Sequence, residues 1–256
     1  MIQRPIPSDP DRRKVIVVLN EHNMRRCAYE RDGVKHLLND HTHVLQVPLP
    51  EAGDALLAKT NILDGRLATP GCILIQSPFD TNRYEDASSA PQNFAYEKHM
   101  HFSLLCKHLG AKEILVKQID VVTREGVRTI GLTVERAGLL RLEGKTKKAD
   151  EESFLRRFEL RDTFVGAPPA LAAADDLLRK TGLCKDADML ALVEMRRSET
   201  NPLLSRSLKI NLSSESQSNI SLAGKLTLPG WMKMHPEYGE NLKETKEYVL
   251  EIMVRF

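Results

Sequence analysis

The stretch Val15-Ile16-Val17-Val18-Leu19 is an uninterrupted run of apolar, mostly β-branched residues, and Asn20-Glu21-His22 follows it directly. Continuous runs of this kind are typical of strands that are covered on both faces, as in parallel sheets. A second run, Cys72-Ile73-Leu74-Ile75, stands between Pro70-Gly71 and Ser77-Pro78. The two runs predict buried strands in the first half of the chain.

The residues around these two runs predict helices and a further strand. Apolar residues recur with helical spacing over residues 24–38, 54–63 and 91–109, and Gly110 follows the last of these segments. A strand is predicted at 114–122. The order of elements predicts a mainly parallel, three-layer βαβ-type portion over residues 14–122, preceded by an irregular arm at residues 1–13.

The second half of the chain has a different pattern. Residues 114–122 and 127–134 flank a short polar connection that contains glycine, which predicts a β-hairpin. Helices are predicted at 170–180 and 187–197. Apolar and polar residues alternate at 208–212, 220–228 and 248–256, as in half-buried strands. Residues 123–256 are therefore expected to form an antiparallel-sheet-rich portion with helices, either separate or in one sheet with the first portion, and the fold class is α/β of mixed α+β type.

Composition excludes several classes of protein. The 256 residues include 37 Lys and Arg against 35 Asp and Glu, and a net charge of +2 is too small to indicate a dedicated nucleic-acid binder. No apolar stretch reaches the roughly 18–20 residues of a membrane-spanning helix, and the first residues lack the apolar segment of a signal peptide. The four cysteines, Cys27, Cys72, Cys106 and Cys184, form no C-x-x-C pair. We expect a soluble, cytoplasmic protein with free thiols and no membrane span.

The polar residues after the two apolar runs are the candidate functional site. In open α/β sheets, ligands bind beyond the carboxyl ends of the strands, where loops converge. If the two strands are neighbours, one crevice would collect acid–base groups and an arginine able to bind an anion. The predicted catalytic residues are Glu21, His22 and Asp80, and the predicted ligand-binding residues are Asn20, Ser77, Arg83 and Tyr84.

Other interpretations of the same residues stay open. Asp80 and its neighbours are also typical turn-forming residues. His41 and His43 have a spacing that suits metal ligands, but no third ligand lies nearby in sequence, so no metal site is predicted. His99 shares a helix face with Cys106, which favours a core histidine beside a thiol. The sequence has no dinucleotide, P-loop or hydrolase motif, and the cofactor is left unknown.

Two functions follow from these observations. The first is binding of a small polar or anionic ligand at the strand ends, with hydrolysis or group transfer as the chemistry that the residues would suit. The alternative is a noncatalytic assembly module that pairs with itself or with another protein through its C-terminal antiparallel strands. The sequence leaves open whether the protein is an enzyme.

Overall fold

The fold was obtained as a computed structural model, which describes residues 5–29, 40–49, 55–63, 67–123, 126–131, 161–226 and 247–256. Within these ranges the chain has mixed α+β content with five α-helices and two β-sheets, which confirms the predicted fold class. The α-helices are α1 (Glu21–Tyr29), α2 (Ala90–His108), α3 (Leu171–Lys180), α4 (Ala187–Arg197) and α5 (Gln217–Gly224). The strands are β1 (Val15–Asn20), β2 (Thr42–Val47), β3 (Ile73–Gln76), β4 (Tyr84–Asp86), β5 (Glu113–Thr123), β6 (Gly126–Gly131), β7 (Arg161–Thr163), β8 (Ser205–Asn211) and β9 (Glu247–Arg255).

The chain divides into two compact units that interleave along the sequence. One unit combines Met1–Asn93 with Glu215–Thr245, and the other combines Phe94–Ser214 with Lys246–Phe256. The predicted portions, 14–122 and 123–256, are each continuous in sequence, whereas each compact unit takes in two segments. Each unit has a sheet of its own.

The first unit contains a four-stranded sheet in the order β2-β1-β3-β4. β1 lies parallel to β2, and its residues Val15–Leu19 are fully buried, as expected for an apolar run covered on both faces. β3 pairs antiparallel with β1, so that Val15 lies opposite Ile75, and β4 pairs antiparallel with β3. The mainly parallel arrangement expected for residues 14–122 is therefore limited to β1 and β2.

The second unit contains a five-stranded sheet whose paired strands are all antiparallel. The strand order is β6-β5-β9-β8, and β7 pairs with the first residues of β5. β5 and β6 pair as expected for the predicted hairpin at 114–134, of which residues 124–125 and 132–134 lie outside the described residues. β9 lies between β5 and β8, and its alternate residues Tyr248, Leu250, Ile252 and Val254 are fully buried.

Several predicted elements need correction. The helix expected at 54–63 is replaced by two short 3-10 helices, Leu57–Lys59 and Asn61–Leu63. Residues 220–224 of the strand expected at 220–228 belong to helix α5, whose buried residues Asn219, Ile220 and Ala223 recur with helical spacing, and residues 227 and 228 lie outside the described residues. The helix expected at 24–38 is described only as far as Tyr29, and the rest of that prediction lies outside the described residues.

The remaining long elements agree with the sequence patterns. α2, α3 and α4 lie where helices were predicted, and β8 and β9 lie where alternating strands were predicted. In the ranges that the structure describes, no helix combines the length and the apolar character needed to cross a bilayer.

Candidate functional site

The two halves of the predicted crevice lie at opposite ends of the first sheet. Because β1 and β3 run antiparallel, the backbone N–H of Gln76 at the end of β3 donates to the carbonyl of Lys14, just before β1 begins. Glu21 and His22 follow the other end of β1, and a six-residue strand is about 20 Å long. The expectation that the loops after Leu19 and Gln76 meet in one crevice is therefore wrong.

The residues after β1 form the N-terminal end of α1. The Asn20 side-chain oxygen accepts the N–H of Asn23 at 2.8 Å, which is the hydrogen bond of an N-cap residue. Glu21 forms an exposed ion pair with Arg25, with 2.6 Å between Oε1 and Nη2. His22 is exposed. The structure brings these three predicted site residues together with one another, but not with the residues that follow β3.

Two of the predicted residues after β3 build the turn towards β4. The Ser77 hydroxyl accepts the N–H groups of Phe79 at 3.1 Å and Asp80 at 3.4 Å, and Asp80 Oδ1 accepts the N–H of Asn82 at 2.9 Å. These are local hydrogen bonds of the kind that Ser and Asp make in turns. Arg83 lies 3.3 Å from Glu85 in a half-exposed ion pair. The turn-forming interpretation therefore accounts for the observed contacts of Asp80.

Tyr84, the last predicted ligand-binding residue, belongs to a buried polar cluster that the sequence did not reveal. Its hydroxyl accepts Nη1 of Arg13 at 2.8 Å and Nε2 of Gln76 at 3.3 Å, and donates to the Arg13 carbonyl at 3.1 Å. Burial raises the pKa of the Tyr84 hydroxyl above its ordinary value, against the opposing pull of the Arg13 charge. Tyr84 therefore stays a neutral phenol that joins the N-terminal segment to β4.

Arg13 is the unusual member of this cluster, which we call the Arg13 cluster (Arg13, Gln76, Asn82 and Tyr84). Arg13 is only 2% exposed, and its Nη2 donates to Oδ1 of Asn82 at 3.0 Å. Its Nε is buried without a hydrogen-bond partner, and no carboxylate in the described part of the chain pairs with the guanidinium. Burying a cation among neutral groups alone costs several kcal/mol, on the order of the penalty for removing one partner of a buried ion pair.

The sequence offered little signal for Arg13. It stands in the run Asp11-Arg12-Arg13-Lys14, which resembles a solvated charged segment, and Arg12 beside it is exposed. Only its position immediately before a buried strand distinguishes the two arginines. Because the 3-10 helix Pro10–Arg13 ends there, the Arg13 side chain is directed into the unit while that of Arg12 remains in solvent.

The second unit holds a separate group of ionisable side chains on α2. His99 and Cys106 are buried, as predicted for a core histidine beside a thiol, and the Ser103 hydroxyl donates to the carboxylate of Asp162 on β7. Burial lowers the pKa of His99 to about 4, and Asp162 acts against this shift. Burial also raises the pKa of the Cys106 thiol, so both side chains are neutral at pH 7.

Lys98, the neighbour of His99, is fully buried and paired. Its Nζ lies 2.9 Å from Oδ2 of Asp186, 2.9 Å from the Ser214 hydroxyl and 2.7 Å from the Asn211 carbonyl. Asp186 also accepts the N–H groups of Asp188 and Met189 as the N-cap of α4. The contacts of Lys98 thus join α2 to the start of α4 and the end of β8.

Comparison with known proteins adds no functional assignment. No protein-family model, curated protein or solved structure matches the chain. Among the described residues, no three His, Cys, Asp or Glu side chains form a group that could hold a metal ion. The candidate site is therefore defined by the Arg13 cluster alone.

Proposed function

We propose that this is a cytosolic protein that binds a small oxyanion or carboxylate ligand through Arg13. One observation carries the proposal: a guanidinium that is 2% exposed has only neutral partners in the described part of the chain. An anion at this position would supply the missing countercharge. The cytosolic location is supported by Cys106 and Cys184, which are free thiols, since disulfides are rare in reducing compartments.

The chemistry of the cluster supports an oxyanion as the ligand. Guanidinium groups bind carboxylates and phosphates through several N–H groups arranged in a plane. Nε of Arg13 has no hydrogen-bond partner among the described residues, and Nη2 is held by a neutral amide oxygen that a charged oxygen could replace. Of the predicted site, this proposal retains Tyr84 and the loop that contains Ser77 and Arg83.

The proposal is one of binding and includes no reaction. Glu21 and His22, the acid–base pair considered from the sequence, lie at the end of β1 opposite to the Arg13 cluster. Asp80 is occupied by its turn hydrogen bond to Asn82.

Thermal unfolding of the full chain in inorganic phosphate, with sodium chloride at equal ionic strength as reference, tests the proposal. A saturable rise in the unfolding midpoint is expected, since a ligand at 100 times its Kd stabilises the folded state by about 2.7 kcal/mol. Arg13→Gln should abolish the rise. Arg12→Gln, which removes an exposed arginine one residue away, should leave it unchanged.

A second variant covers the case in which Arg13→Gln does not fold. Asn82→Ala removes the neutral acceptor of Nη2 and leaves the guanidinium in place, so phosphate should stabilise this variant at least as strongly as the unmodified chain. If phosphate, sulfate and acetate all fail to raise the midpoint of both Asn82→Ala and the unmodified chain above the chloride reference, the proposal is wrong.

A second candidate function is self-assembly through the C-terminal strands, and one observation favours it. In the part of the chain that the structure describes, β8 has β9 on one side and no strand on the other. β9, which ends next to Phe256, lies between two strands and offers no edge, so the assembly surface is assigned to β8. Light scattering across a concentration series tests this candidate, and a mass of one chain at every concentration would contradict it.

A further inference from the structure

The backbone groups of β8 alternate in direction, and the hydrogen bonds to β9 fix which ones face outward. The N–H of Leu212 donates to the Tyr248 carbonyl, and the N–H of Phe256 donates to the Leu204 carbonyl. In an antiparallel pair, hydrogen-bonded and non-hydrogen-bonded residues alternate. The even-numbered residues of β8 therefore bond to β9, and the odd-numbered residues from Ser205 to Asn211 direct their N–H and C=O groups away from it.

Two buried cations occupy carbonyl groups at the two ends of this edge. Lys98 Nζ donates to the Asn211 carbonyl at 2.7 Å, and Nη1 of Arg196 donates to the Leu203 carbonyl, just before the strand, at 2.7 Å. Between these two positions, Ser205, Ser207 and Lys209 are exposed. Strand edges with outward N–H and C=O groups are templates for pairing with another chain. Among the described residues, no strand or side chain pairs with the outward groups of residues 205–209, which form the open part of this edge.

We propose that a second copy of this chain pairs with residues 205–209 of β8 in antiparallel register, with Ser207 opposite Ser207 of the other copy. The inference rests on the second candidate function and is independent of the Arg13 cluster. Leu203 and Asn211, whose carbonyls are occupied, are four residues before and after Ser207. A twofold axis at Ser207 therefore uses the whole open stretch and leaves both occupied carbonyls outside it.

The side chains suit this register. Ser205 faces Lys209 and Arg206 faces Leu208 across the twofold axis. Like charges directly opposite each other destabilise paired strands, and this register places none there. An in-register parallel pairing would place the two Lys209 side chains side by side. Leu204, which is 71% exposed beside the strand, offers apolar surface for the second copy to cover.

Disulfide cross-linking tests the register. With the exposed Cys184 replaced by Ser as background, Ser207→Cys is expected to give a cross-linked dimer under mild oxidation, because the two Cα atoms would be about 5.5 Å apart. Ser205→Cys alone should not cross-link, since the two copies of that residue would lie roughly 13 Å apart along the strands. The pair Ser205→Cys with Lys209→Cys should cross-link again.

Substitution of the same residue tests the edge. Ser207→Pro removes an outward N–H without breaking the ladder to β9, and should weaken the association about tenfold or more, because the hydrogen bonds to the other copy are lost. Ser207→Ala keeps the N–H and should associate like the unmodified chain. Circular dichroism establishes that both variants are folded.

The outcomes separate the two claims. An associating chain whose Ser207→Cys variant does not cross-link overturns the proposed register and leaves self-assembly standing. Association that is unchanged in Ser207→Pro overturns the β8 edge as the contact. A chain that has the mass of one copy at every concentration overturns both the inference and the second candidate function.

Discussion

The guanidinium carbon of Arg196 lies 4.4 Å from the centroid of the Phe256 ring, within the range of a cation–π interaction. Nε of the same side chain donates to the Leu109 carbonyl at 3.1 Å, and Nη1 donates to the Leu203 carbonyl. Burial lowers the pKa of Arg196. One arginine thus joins the end of α2, α4 and the segments around β8 and β9 through carbonyl groups and an aromatic ring.

Arg196→Lys is expected to destabilise the protein by about 1–3 kcal/mol. A lysine ammonium has no planar fork, so it cannot donate to two carbonyls in different segments while it stacks on Phe256. Urea denaturation measures the loss. Arg197→Lys is the matched control, because Arg197 is 43% exposed and pairs with Asp175 at the surface, where the change should be within about 0.5 kcal/mol. Equal effects of the two substitutions would contradict the assigned role of Arg196.

The protein should become less stable as the pH decreases below 6.5, because His99 is buried in its neutral form. The pKa of this side chain is about 4 in the folded state and 6.5 in the unfolded chain, so below pH 6.5 the unfolded state binds the proton more readily. The stability that depends on neutral His99 is complete above pH 6.5 and decreases as the pH falls towards 4, by about 3 kcal/mol in total. Urea denaturation at intervals from pH 7.5 to 4 measures the decrease.

Two variants isolate the contribution of His99 to this pH dependence. His99→Asn should flatten the dependence between pH 6.5 and 4, whatever its effect on stability at pH 7. His101→Asn, at a partly exposed position on the same helix, should keep the slope of the unmodified chain. A slope that survives in His99→Asn would assign the acid sensitivity to other groups.

Lys98→Met should destabilise the protein by about 3–5 kcal/mol, because the Asp186 carboxylate, which is only 11% exposed, would lose its cation. Lys107→Met, at an exposed position of the same helix, should change stability by less than about 0.5 kcal/mol. The double variant Lys98→Met with Asp186→Asn removes both charges and keeps an N-cap residue on α4. The double variant should lose less free energy of unfolding than Lys98→Met and Asp186→Asn lose in total when each is made alone. Strictly additive losses would count against an interaction between Lys98 and Asp186.

Gly110→Ala should be more costly than Gly126→Ala. Both glycines have positive φ angles, 81° and 138°, so a side chain strains the backbone at either position. A Cβ at Gly110 would lie 2.0 Å from the Ala167 carbonyl oxygen, whereas nothing lies within 4 Å of a Cβ at Gly126. We expect a difference of about 1–3 kcal/mol in the free energy of unfolding. Similar costs at the two positions would mean that the chain near Ala167 moves aside.

The sequence predicted the elements whose patterns are long and locally bounded. α2 begins beside Pro91 and ends before Gly110, two residues that are typical of helix ends. β9 alternates buried and less buried residues along its nine positions, which is the period of a strand. The apolar run at 15–19 likewise predicted a strand buried on both faces. α5 was missed because apolar residues at 220, 222, 226 and 228 also suit a strand, and eight residues are too few to decide between the two periods.

The direction of β3 could not be predicted in this way. A continuous apolar run shows that a strand is buried, but it carries no information on whether its neighbour is parallel or antiparallel. The crevice predicted between Glu21, His22, Asp80 and Arg83 depended on that direction. The Arg13 cluster depends on contacts about 70 residues apart in sequence, which no local pattern encodes.

The position of β9 in its sheet has a consequence for biosynthesis. β9 is the last of the described strands in sequence, yet it separates β5 from β8. During translation, β5 is complete at residue 123, whereas β9 begins only at residue 247, and until then the side of β5 that pairs with β9 is uncovered. The nascent polypeptide must therefore carry one half-paired strand through about half of its synthesis, a period in which chaperone binding would protect it from aggregation.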